Sequence, residues 1–221
     1  KMVRCIGTCI PVTGADFSWD PQSPLSGEMV TFTATVTAGS PPFKYLWDFG
    51  DGTYGNTETI DHGYISSGTF TVDLAVTNCY GSSTAYATHD VSVLEGPAIS
   101  IDPISFQATL KPDETQDQLL EVCNIGGSSL TWDLEEAETQ VLAITDLHWV
   151  SESPTSGTLT AGECQDIVVN FDSTGLAIDE YTGSLKINNN DPMTPLLDVP
   201  LSLTVDDGEI TNEIYFPIIF R

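Results

Sequence analysis

Tyr45-Leu46-Trp47-Asp48-Phe49-Gly50-Asp51-Gly52-Thr53 reads as a buried strand that runs straight into a tight turn. Large aromatic and aliphatic side chains suit a pleated core strand. Asp51-Gly52 suits a sharp reversal, because Asp bonds its own backbone and Gly accepts positive φ. Outward from this stretch, Val30-Thr31-Phe32-Thr33-Ala34-Thr35-Val36 alternates apolar and hydroxyl residues, as a half-buried strand does. The same period runs through residues 69–77, 85–93, 167–171 and 183–188. Residues 196–205 make a final strand, in which Pro200 predicts an edge or a bulge. Turn chemistry punctuates these runs at Ser26-Gly27, Gly39-Ser40-Pro41-Pro42, Asn124-Ile125-Gly126-Gly127 and Asn188-Asn189-Asn190-Asp191-Pro192. Short strands between such turns predict sandwiches, and 221 residues allow two domains of about 100 each.

The segment Trp47-Asp48-Phe49-Gly50-Asp51-Gly52 resembles the hallmark of the PKD family of extracellular immunoglobulin-like domains. The resemblance covers about 80 residues. It implies Phe17 and Trp19 on a first strand, Phe32 on a second, Trp47 and Phe49 on a third, and Phe70, Val72, Leu74 and Val76 on a late one. Trp47 and Asp48 are read as core packing and turn support. An exposed Tyr54 or Tyr64 would be a carbohydrate-stacking candidate.

Leu94-Glu95-Gly96-Pro97 ends one strand series and opens another. The later residues include Val122-Cys123-Asn124-Ile125-Gly126-Gly127, Trp149-Val150, Tyr181-Thr182-Gly183-Ser184-Leu185 and Asn190-Asp191-Pro192. This ordered set is similar to the BACON and ASH-type immunoglobulin-like domains of bacterial surface proteins. That likeness implies glycan binding only if Trp132 or Trp149 faces solvent, and a core role is expected for both. The acidic segment 135–143 departs from the pattern and has the composition of one or two helical turns. The expected architecture is all-β: two tandem immunoglobulin-like β-sandwiches with an apolar C-terminal strand or tail. The expected divisions are an N-terminal segment 1–12, a PKD-like sandwich 13–95, a BACON/ASH-like sandwich 96–205, and an acidic linker with an apolar tail 206–221.

Acidic residues number 32 against 6 basic ones, for a formal charge of −26. The imbalance grows along the chain: residues 1–96 carry 10 acids and 3 bases, residues 97–221 carry 22 and 3. Such a field repels phosphates, which makes nucleic acid and anionic membrane surfaces very poor partners. It also concentrates cations. Calcium is the one ion to test, with Asp48 and Asp51 on one turn and Asn188, Asn190 and Asp191 on another. Self-bonded turns are the plainer reading of both.

The five cysteines lack paired CxxC spacing, so a zinc site is not expected, and disulfides in an oxidising compartment fit better. Five cysteines can pair in many ways. The pairing expected is Cys9–Cys79 in the first domain and Cys123–Cys164 in the second. Cys5 is left over, free or linking to another chain. No window of 18 apolar residues exists to span a membrane as a helix. Because the chain begins at Lys1 with no visible export signal, a mature or trimmed secreted form is expected.

No HExxH, GxSxG or phosphate-loop motif is present, so the chain is not expected to be an enzyme. The tail carries Ile214, Tyr215, Phe216, Ile218, Ile219 and Phe220. Burying each contributes roughly 1.5–3 kcal/mol. Together they offset an association cost of about 4–15 kcal/mol. The tail can dock on its own domain, on a neighbouring copy as an added strand, or on a cell envelope. The expected function is a secreted, non-catalytic structural subunit of a bacterial surface filament or layer, a head-to-tail homopolymer joined through its terminal segments. The alternative is a glycan- or protein-binding accessory module of a secreted hydrolase.

Overall fold

The computed structural model describes residues 10–78, 83–138 and 147–208. Cys5, Cys9, Cys79 and the tail residues Ile214 to Phe220 lie outside the described residues. The chain is all-β, and its main division into two compact units falls between Ala98 and Ile99.

Among the described residues, the first unit has seven strands: β1 (Gly14–Asp20), β2 (Met29–Ala38), β3 (Phe43–Asp48), β4 (Tyr54–Gly55), β5 (Thr59–Gly63), β6 (Gly68–Asn78) and β7 (Ser83–Val93). They form two antiparallel sheets, ordered β1-β2-β5 and β4-β3-β6-β7. Period-2 alternation decides which face is buried. In β2, Val30, Phe32 and Ala34 point into the core while the threonines between them face outward. In β6, Val72, Leu74 and Val76 do the same. Trp47 pairs with Leu74 across β3 and β6, which places the indole in the core, fully buried. Phe17 meets its edge at 5.1 Å, and Phe49 lies parallel to it at 6.1 Å. Phe49 stands just beyond β3, in the turn that closes the strand.

Among the described residues, the second unit has nine strands: β8 (Ile99–Asp102), β9 (Phe106–Leu110), β10 (Thr115–Asn124), β11 (Leu130–Glu138), β12 (Val150–Ser153), β13 (Ser156–Leu159), β14 (Cys164–Asp172), β15 (Glu180–Asn189) and β16 (Leu196–Val205). The sheets are ordered β12-β14-β10-β8 and β13-β11-β15-β16-β9. Leu120, Val122, Ile167, Val169 and Phe171 from the first sheet pack against Leu130, Leu185, Ile187, Leu201 and Leu203 from the second. Trp132 and Trp149 are each only 3% exposed and join this core.

Three expectations are corrected. Residues 135–138 are strand, because they pair with Gly183 to Lys186 of β15, and the sheet ladder overrides local helical composition. Residues 139–143 lie outside the described residues. The strand containing Pro200 is not an edge, since β16 lies between β15 and β9. Its parallel ladder to β9 begins at Leu201, so the missing N–H of Pro200 leaves no gap in it. Tyr64 is not an exposed aromatic: it is 1% exposed, and its hydroxyl donates to the Phe49 carbonyl at 3.1 Å.

Candidate functional site

The turn after β3 is held by its own side chains. Asp48 Oδ1 accepts from the Gly50 amide at 3.0 Å. Asp51 Oδ1 accepts from the Thr53 amide at 3.0 Å and from Thr53 Oγ1 at 2.6 Å. Trp47 Nε1 donates to the Thr57 carbonyl at 2.8 Å, which ties the loop to the core indole. Gly50 has φ +79, and a Cβ there would lie 2.5 Å from the Thr71 carbonyl oxygen. Only glycine fits that backbone beside β6.

The other oxygen of Asp51 lies 2.8 Å from His62 Nε2. An ionised carboxylate only accepts, so that nitrogen carries the proton. Burial alone would raise the Asp51 pKa. Hydrogen bonds from Thr53 and His62 outweigh it and hold the carboxyl below its ordinary value. The imidazole stacks on Phe49 at 4.2 Å and meets the edge of Tyr64 at 4.7 Å. Burial, with the nearby Asp51 charge, pushes the Tyr64 phenol well above its ordinary range. A second histidine repeats the pairing: His89 Nε2 lies 2.7 Å from Asp16 Oδ1. That bond, with one from the Phe17 amide, lowers the Asp16 pKa.

Two of the three remaining calcium candidates also cap backbone. Asn190 Oδ1 accepts from the Thr131 amide at 2.8 Å, and Asp191 Oδ1 from the Met193 amide at 2.8 Å. Asn188 Nδ2 donates to Asp133 Oδ2 at 3.1 Å. Cys123 and Cys164 form a disulfide between directly opposed positions of β10 and β14. Glu121 lies beside them with its carboxylate within 4.8 Å of both sulfurs. The disulfide consumes the two thiols that a soft metal would need as thiolates.

The concave surface of interest is the outer face of β4-β3-β6-β7. Register places Tyr54, Asp48, Asp73 and Thr88 in one row across the four strands. The next row along is Leu46, Ala75 and Tyr86. Leu46, Tyr54 and Tyr86 are 57%, 67% and 73% exposed. They rim a shallow depression of about 390 Å³ over the small side chain of Ala75. Aromatic walls beside hydrogen-bond acceptors can take a flat apolar surface with polar edges, or a cation. Tyr54 is a candidate the sequence offered on condition of exposure, and it is exposed. Leu46, Ala75 and Tyr86 were not legible in the sequence, because only the pairing of three strands brings them together.

Residues 15–93 match the family model described as the PKD domain. No curated protein matches the chain. Among solved structures, the ASH/PapD-like domain of human CEP192 is similar at 20% identity and a TM-score of 0.41, over 50% of this chain and 87% of that one. A chaperone–tip adhesion subunit complex from archaic chaperone-usher Csu pili of Acinetobacter baumannii is similar at 14% identity and a TM-score of 0.39, over 49% of this chain and 52% of that one. A family 123 glycoside hydrolase from Clostridium perfringens gives 9% identity and a TM-score of 0.41, over 51% of this chain and 28% of that one. These are partial likenesses of shape, and none transfers a function.

Proposed function

We propose that the chain is a non-catalytic extracellular structural module, a subunit of a bacterial surface filament or layer joined to its neighbours through its terminal segments. The observation that carries this reading is where the apolar residues go. Among the described residues, each core is built from side chains of its own unit, with Trp47 buried in the first and Trp132 and Trp149 in the second. The six large apolar side chains at positions 214–220 belong to neither expected domain. Apolar surface of that size finds a partner, and a charge of −26 keeps the bodies themselves from associating indiscriminately. No helix among the described residues is long and apolar enough to cross a membrane. An exposed disulfide and a PKD-type first unit fit an oxidising, external setting.

Deleting residues 210–221 tests the reading. Sedimentation velocity should show the full chain as a concentration-dependent assembly and the truncated chain as a folded monomer. Equal assembly by both chains would contradict it.

A second reading, a glycan- or protein-binding accessory module, is favoured by the exposed Leu46, Tyr54 and Tyr86 around Ala75. Retention on a polysaccharide gel that is lost in Tyr54→Ala or Tyr86→Ala would select it.

A further inference from the structure

We propose that the outer face of β4-β3-β6-β7 is the receptor for the segment Lys1-Met2-Val3-Arg4 of a second copy of this chain. The inference rests on the assembly reading above and names one surface that assembly uses, the one for the N-terminal of the two terminal segments. Asp48 and Asp73 stand directly opposite each other on β3 and β6, and like charges so placed repel. Asp48 caps the Gly50 amide and Asp73 accepts from the Thr88 hydroxyl, so each carboxylate is held in place. No lysine or arginine among the described residues makes an ion pair with either. Tyr54, at the end of the same row, offers an aromatic face beside this doubly negative point. Such a point is complementary to a lysine or arginine head group.

The spacing supplies a second constraint. The carboxylate row and the Leu46-Ala75-Tyr86 row are two residues apart along the strands, about 6.8 Å. An extended segment presents residues i and i+2 on one side at the same spacing. The matching occupant therefore carries a basic and an apolar residue two apart. Lys1 and Val3 satisfy this, and so do Met2 and Arg4. The segment holds two of the chain's six basic residues within four positions. Residues 214–221 hold only Arg221, so charge complementarity selects the former.

The test uses the full chain and a dye-labelled peptide of residues 1–8 carrying Cys5→Ser, so that no disulfide forms. Fluorescence anisotropy should show saturable binding that weakens as salt rises. Binding should fall at least tenfold for an Asp48→Asn/Asp73→Asn chain. It should fall as much for a Lys1→Glu/Arg4→Glu peptide on the unaltered chain, which keeps the test valid if the double variant fails to fold. Absent binding, or binding indifferent to both changes, overturns the proposal. So does retention on a neutral glycan that is lost in Tyr54→Ala without any peptide binding. Sedimentation velocity separates this outcome from that of assembly. A double variant that assembles like the unaltered chain removes this face and leaves the assembly reading intact. An unaltered chain that stays monomeric while binding the peptide overturns assembly, and places the contact within one copy.

Discussion

His62 Nε2 lies 2.8 Å from Asp51 Oδ2, and the same imidazole is stacked on Phe49 at 4.2 Å. One side chain thus joins the polar turn to the aromatic core. Asp51 titrates below its ordinary 3.8, so its contribution to stability is present above that pH and is lost as pH falls through the lower folded value. Asp51→Ala should cost about 1 kcal/mol at neutral pH. Urea titrations of both chains should converge well below pH 3.8. A constant gap down to acid pH would show that the carboxylate charge is immaterial.

Gly50 and Gly52 separate backbone conformation from crowding. Both have positive φ, but a Cβ at Gly50 meets the Thr71 carbonyl at 2.5 Å while one at Gly52 meets nothing. Gly52→Ala should cost about 1–2 kcal/mol, the left-handed penalty alone. Gly50→Ala should cost at least about 2 kcal/mol more, because the clash is with backbone that cannot rotate away. Equal losses in thermal unfolding would contradict the close approach.

The Cys123–Cys164 bond closes a 41-residue separation. Cys123→Ser/Cys164→Ser should destabilise the second unit by about 2–4 kcal/mol, chiefly by freeing the unfolded chain. Chemical denaturation with and without a dithiol reductant measures this. An unchanged midpoint on reduction would refute it.

Trp47 has two roles that substitution can divide. Trp47→Phe retains an aromatic ring but loses volume and the bond to the Thr57 carbonyl, at about 1–2 kcal/mol. Trp47→Ala should cost about 3–5 kcal/mol. Near-equal unfolding free energies for the two variants would mean that the ring is not what holds this core.

Local pattern made most of the strands readable. The alternation in residues 30–36 and 69–77 is the burial alternation of β2 and β6, because one face of each is core. The Trp47–Gly52 stretch was legible for the same reason, with the turn chemistry added. The burial of Tyr64 was not legible, because it depends on Phe49 and Phe70, which meet it only in the folded unit. Residues 135–138 were misread because pairing with β15 outweighs their composition. The docking face was hidden for a stricter reason. Leu46, Ala75 and Tyr86 are 11 or more residues apart in sequence, and their adjacency is a matter of strand register.

Electron microscopy of the purified full chain over a range of concentrations tests most directly whether these sandwiches are units of an assembly. Filaments or ordered layers that lengthen with concentration are the predicted result. Dispersed particles of single-chain size at every concentration would contradict it.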